Sequence, residues 1–239
     1  MRPYHCIPIV ECGEPLVALP LREFAVESPH PYERLGAPYG GRSPYFLRET
    51  VVERLQQAQQ YLQEMLHPGW RILIFDAYRP VAVQQFMVEQ ALAEAARDRG
   101  WEGQKLTEPQ QQSLMAVVSE IWAPPSLDLA TPPPHSTGAA VDVTLVDETG
   151  QLVEMGSPID ELSPRSQPNY FANQPDPDSQ HFHQHRQQLR AIMQAVGFHR
   201  HPGEWWHFCF GDQMWAWLAR QVNPSSQATA RYGRVGDET

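Results

Sequence analysis

The chain has 239 residues, 41% apolar and 19% charged, which suits one folded domain with a sizeable core and excludes a disordered polyelectrolyte. Its net charge of −10 argues against a general nucleic-acid binder, which needs a basic surface to displace counterions from phosphates. No run is long and apolar enough to span a membrane, and the opening MRPYHCIPIVECGEPL has no basic stretch followed by an apolar core, so the expected location is the cytoplasm.

Residues 1–35 read as an N-terminal extension peripheral to a single domain covering 1–239. Over 49–66, Val52, Leu55, Ala58, Leu62 and Leu66 recur at spacings of three and four and predict an amphipathic helix ended by Pro68 and Gly69. RILIFDAY at 71–78 suits a buried strand, and Pro80 opens a second helix over 81–97. A third helix is expected over 108–121, followed by a stiff extended loop at 123–134, where prolines exclude regular structure. AAVDVTLVD predicts a strand with Ala140, Asp142 and Thr144 on one face, then a turn at 147–150 into a partner strand at 151–153. Residues 156–180 read as a long surface loop, 183–196 as a helix closed by Gly197, and EWWHFCF as an alternating strand. A short helix over 213–221 and a polar, frayed tail over 223–239 complete the chain. The expected fold class is α+β: a single domain with a small, mainly antiparallel sheet flanked by helices around a central cleft.

The chemistry concentrates in two places. His135 ends the proline-rich loop, and seven residues later Asp142 stands in an otherwise apolar strand, where an uncompensated carboxylate would cost several kcal/mol. Gly138 and Ala140 between them allow a tight turn and a small face beside the site. EWWH places Glu204 near His207, a third ligand. His135, Asp142 and His207 suit one catalytic Zn2+ per chain with an open position, leaving Glu204 as general base. Arg79, at a strand end in DAYRP, suits an oxyanion, with Asp76 to orient it. Taken singly, His135 is more simply a loop or core histidine, Arg79 an ion-pair residue and Glu204 a solvated turn residue; the buried aspartate and the Glu204–His207 spacing together favour the metal. Cys6, Cys12 and Cys209 form no CxxC pair, and Cys209 reads as a small buried residue. His181, His183 and His185 read as a solvated helix start; His199 and His201 are likewise left outside any metal site. Trp205 and Trp206 read as core and pocket wall.

DAYRP at 76–80, HSTGAAVD at 135–142, MGSPID at 155–160 and EWWH at 204–207 together resemble the D-alanyl-D-alanine dipeptidases of the vancomycin-resistance type, a zinc D,D-peptidase family. The resemblance runs from about residue 36 to 210. It implies zinc on His135, Asp142 and His207, Glu204 as base, Arg79 steadying the transition state, Asp160 binding the free amine, and a small dipeptide substrate. MGSPID favours a dipeptidase over a D,D-carboxypeptidase or endopeptidase acting on peptidoglycan stems, and Glu204 with Arg79 speaks against a zinc-containing binding module. One departure is Pro133, where the family usually has a serine that bears on dipeptide preference.

Overall fold

In a computed structural model, which describes residues 2–236, short strands and helices follow one another in the order β1 (Leu16–Ala18), β2 (Ala25–Val26), α1 (Pro31–Arg34), β3 (Phe46–Arg48), α2 (Glu49–Tyr61), β4 (Arg71–Asp76), α3 (Val81–Asp98), α4 (Glu108–Ile121), β5 (Ala140–Val146), α5 (Pro177–Ala195), β6 (His199–Arg200), β7 (His207–Cys209) and α6 (Gln213–Val222). The sheet runs β2-β4-β5-β7-β6, parallel only at β2–β4, and β1 pairs with β3 in a separate antiparallel ribbon. This is the expected α+β class, mainly antiparallel and flanked by helices.

Period-two alternation sorts the two faces of the sheet. Ile72 and Ile74 of β4 and Val141, Val143 and Leu145 of β5 face a core completed by Val51 and Leu55 of α2 and by Leu189, Ile192 and Met193 of α5. All are buried, each contributing on the order of 1.5–3 kcal/mol. A second core between α3 and α4 gathers Val83, Met87, Leu114, Val118 and Trp122 with Tyr32 and Tyr39 from the N-terminal region. Among the described residues, no helix is long and apolar enough to cross a membrane.

Several expectations change. The helix predicted over 49–66 winds its last turn as a π-turn (Leu62–Leu66), with the His67 amide donating to Leu62 O at 2.8 Å, so Leu66 leaves the apolar stripe and is 38% exposed. Helix α5 starts at Pro177, inside the expected loop, because Asp176 caps it by accepting from the Ser179 amide at 2.9 Å. The strand expected over EWWHFCF is only His207–Cys209; Trp205 and Trp206 precede it in a turn, both buried. The partner strand at 151–153 reduces to one bridge, Val146 with Leu152.

Among the described residues, neither terminal segment is peripheral. Strand β2 joins the sheet, and Leu19, Phe24 and Tyr32 are buried. The tail is tied down rather than frayed: Ala230 bridges to Ile9, Tyr232 is fully buried with its hydroxyl donating to Glu14 at 2.8 Å, and the Val235 amide donates to Ser136 O at 3.0 Å. A single buried aromatic and a few backbone bonds suffice to override the polar composition of that segment. Residues 237–239 of the expected tail lie outside the described residues.

Candidate metal centre

Cross-strand register builds the site. Ile74 of β4 pairs with Val143 and Asp76 with Asp142, so two residues on β4 oppose one on β5. This β-bulge turns Asp76 away from the core face that Ile72 and Ile74 occupy and sets it opposite Asp142. On the other side Asp142 pairs with His207 of β7. Asp76, Asp142 and His207 thus form one row across three strands, with two carboxylates directly opposed in a buried place. Like charges so placed repel unless each has its own cation.

For Asp76 the cation is Arg79. Its Nε and Nη2 donate to Asp76 Oδ2 at 3.0 and 2.7 Å, its Nη1 donates to Gln84 at 2.8 Å, and Nη2 also reaches Tyr32 Oη at 3.2 Å. Burial works against the Asp76 carboxylate, but Arg79 and then His30 outweigh it and hold the group below the ordinary range. Arg79 itself lies 3.5 Å from Asp142 Oδ2.

His135 reaches the row from a 3-10 turn, Pro134–Thr137, that Gly138 ends at φ 69°. A side chain there would be strained and would run into Leu16, so glycine fits the role expected of it. The turn is fastened to the end of β4: the Ser136 hydroxyl donates to Arg79 O at 2.7 Å and the Arg79 amide to His135 O at 3.3 Å. His135 Nδ1 donates to Ala77 O at 2.8 Å, with Asp76 Oδ2 also 3.2 Å away, which leaves the Nε2 lone pair aimed at the other two side chains.

His135 Nε2 and His207 Nδ1 are 3.1 Å apart, His207 Nδ1 and Asp142 Oδ1 3.0 Å, and His135 Nε2 and Asp142 Oδ2 3.3 Å. The two imidazole nitrogens approach different oxygens of the Asp142 carboxylate, and with one donor atom taken from each residue all three lie within 4.8 Å of one another, a spread that a tetrahedral ion with ligands about 3.3–3.4 Å apart can close. His207 Nε2 is buried without a hydrogen-bond partner, so Nδ1 is the engaged ring atom. Two imidazoles and one carboxylate make a donor set suited to zinc. His135, Asp142 and His207 form a possible metal-binding cluster, all three buried. Although burial opposes it, His135 and His207 hold the Asp142 carboxylate far below the ordinary range.

Glu204 stands just outside this triangle, Oε2 3.8 Å from His207 Nδ1. Burial, reinforced by the charges of Asp142 and Asp160, pushes its carboxyl well above the ordinary value, the direction a proton-accepting group needs. Asp160 sits at φ 66°, in the left-handed region, and accepts from Tyr32 Oη at 2.7 Å; burial raises its carboxyl to about 7. One small cavity is lined by Arg79, His135, Asp142, Asp160, Glu204 and His207 together.

Three contributors escaped the sequence reading. His201, set aside there, is buried on the cavity wall with Nδ1 3.3 Å from Glu204 Oε1, and burial keeps its pKa well below the ordinary value. The HPGE spacing, three residues from Glu204, was the available signal. Tyr32 bridges Asp160 and Arg79, and His30 stands 3.3 Å from Asp76, with its Nδ1 accepting from the Tyr32 amide; both come from the supposed extension. His181, His183 and His185 lie within α5 and do not line the cavity, while Trp206 does and Cys209 is buried, as expected.

The Peptidase_M15 family model, described as D-ala-D-ala dipeptidase, matches residues 25–226. A curated D-alanyl-D-alanine dipeptidase of Synechocystis sp. is 51% identical, covering 98% of this chain and 97% of that one. One from Escherichia coli is 33% identical over 59% of this chain and 55% of its own. A solved structure of a vancomycin resistance D,D-pentapeptidase mutant in complex with Zn(II) is similar at a TM-score of 0.46 and 15% identity, covering 75% of this chain and 80% of that one, too distant a likeness to bear on the site.

Proposed function

The chain belongs to the D-ala-D-ala dipeptidase family, a family of metallopeptidases, and from that premise we propose that it hydrolyses D-alanyl-D-alanine, or a close D,D-dipeptide, to free amino acids with one zinc ion per chain. The observation that carries the proposal is the convergence of the His135, Asp142 and His207 donor atoms, within 4.8 Å of one another, with Glu204, Arg79 and Asp160 on one small cavity.

His135, Asp142 and His207 would hold the metal. When bound, zinc supplies a Lewis acid that polarises the peptide carbonyl and lowers the pKa of water. Glu204 accepts the water proton at a carboxylate oxygen and later returns it to the leaving amine. Four of the five N–H groups of Arg79 are engaged by Asp76, Gln84 and Tyr32, which fixes the guanidinium and leaves one N–H for the oxygen that gains charge in the transition state. Asp160, held by Tyr32, accepts the substrate ammonium.

The decisive variant is Glu204→Gln. It should retain a full complement of zinc and lose turnover by about 100-fold or more; near-normal turnover with zinc intact would remove Glu204 from the role of base. A D,D-carboxypeptidase acting on peptidoglycan stems is the second reading; Asp160 speaks against it, since a capped amine leaves that half-buried carboxylate without its charged partner.

A further inference from the structure

Two guanidinium groups line the cavity, and their surroundings differ. Arg79 is buried and held against the carboxylate of Asp76. Arg2 reaches the cavity from just before the N-terminal 3-10 turn Pro3–Cys6 and is only partly buried. Its Nη2 donates to Ser119 O at 2.5 Å and to Trp122 O at 3.3 Å. These carbonyls belong to the C-terminal end of α4, where unsatisfied oxygens and the negative end of the helix dipole favour a cation. The head group is therefore anchored entirely by neutral acceptors. Among the described residues no carboxylate lies within 4.0 Å of it.

A guanidinium fixed on a cavity wall with its charge unpaired is a ready partner for an anion such as a carboxylate, and with both Nη2 N–H groups taken by the helix carbonyls, Nε and Nη1 remain to donate to it. A dipeptide brings one. It is a zwitterion, and the cavity offers Asp160 for the ammonium while Arg79 has a single N–H left for the reacting oxygen. We propose that Arg2 binds the free α-carboxylate of the dipeptide's C-terminal residue. This rests on the dipeptidase reading and deepens it: opposite charges on one small cavity would measure the substrate at both ends, selecting a peptide of two residues with neither terminus blocked. It also gives the N-terminal segment a task in substrate selection that residues near the metal do not perform.

The test uses the full chain loaded with zinc, with D-Ala-D-Ala and its C-terminal amide as substrates, comparing wild type, Arg2→Ala and Arg2→Lys. Loss of one charge-assisted contact should raise KM for D-Ala-D-Ala about 10- to 100-fold in Arg2→Ala, with kcat changed by no more than a few-fold. The wild-type preference for the free acid over the amide should collapse toward unity, and Arg2→Lys should retain part of it. An unchanged KM and acid-to-amide ratio in both variants would overturn the assignment. So would a fall in kcat alone, which would make Arg2 a clamp on α4. If Arg2→Ala does not fold, the acid-to-amide ratio of Arg2→Lys decides: a wild-type ratio refutes the contact. Wild-type enzyme inert on D-Ala-D-Ala would sink the dipeptidase reading and this inference with it, whereas wild-type turnover indifferent to Arg2 would sink only the latter.

Discussion

Replacing Asp76 by Asn tests whether the row beneath the metal centre is held by charge. The aspartate is fully buried; its Oδ2 takes two N–H groups of Arg79 at 2.7 and 3.0 Å, and its Oδ1 faces His30 Nε2 at 3.3 Å and Tyr39 Oη at 3.4 Å. His30 Nδ1 accepts a backbone proton, so its Nε2 carries the ring proton toward Asp76. An asparagine must then point its NH2 at either Arg79 or His30, donor against donor in both flips. Breaking one side of a buried ion pair costs about 3–5 kcal/mol, which for a chain of this size lowers Tm by roughly 6–20 °C. The assay is denaturant and thermal unfolding with a chelator present, so that metal binding does not contribute. The acid side gives a second handle. The Asp76 carboxyl is held below its unfolded value, so its stabilisation is present above the unfolded pKa of about 3.9 and disappears as pH falls through the folded one. The gap between wild type and Asp76→Asn should therefore narrow below about pH 4. A loss under about 1 kcal/mol at neutral pH, or a gap that stays constant down to about pH 3, would refute the reasoning.

Asp160→Asn should raise KM for D-Ala-D-Ala by about 10- to 100-fold in steady-state assays, because the ammonium loses its charged acceptor. Gly138→Ala forces a left-handed residue and a clash with Leu16 into the turn that carries His135, so it should destabilise the fold by about 1–3 kcal/mol and lower zinc content measured by metal analysis. Tyr232→Ala should cost about 3–5 kcal/mol in denaturant unfolding, as for a buried aromatic; a frayed tail would lose nothing.

The site was more legible in the sequence than the frame around it, for physical reasons. A carboxylate in an apolar strand must be compensated, so Asp142 announced a partner, and Gly138 and the Glu204–His207 spacing narrowed its geometry. Backbone irregularities gave no such signal. The bulge that re-aims Asp76 and the π-turn that rotates Leu66 outward depend on tertiary packing, which periodicity does not encode. The early start of α5 was written in Asp176 and Pro177, but lay within a stretch whose Pro, Ser and Asn content read as loop. His30 and Tyr32 reach the site across more than forty residues of intervening chain, and His201 becomes part of it only because β6 pairs with β7.

The central claim is that one cavity holds a catalytic zinc and recognises a dipeptide with a free amine. It is tested most directly by assaying purified protein of measured zinc content on D-Ala-D-Ala and on an acyl-capped peptide ending in D-Ala-D-Ala. We expect one zinc per chain, turnover of the free dipeptide that disappears with the metal, and little action on the capped peptide. Preference for the capped peptide, or turnover that persists without zinc, would contradict it.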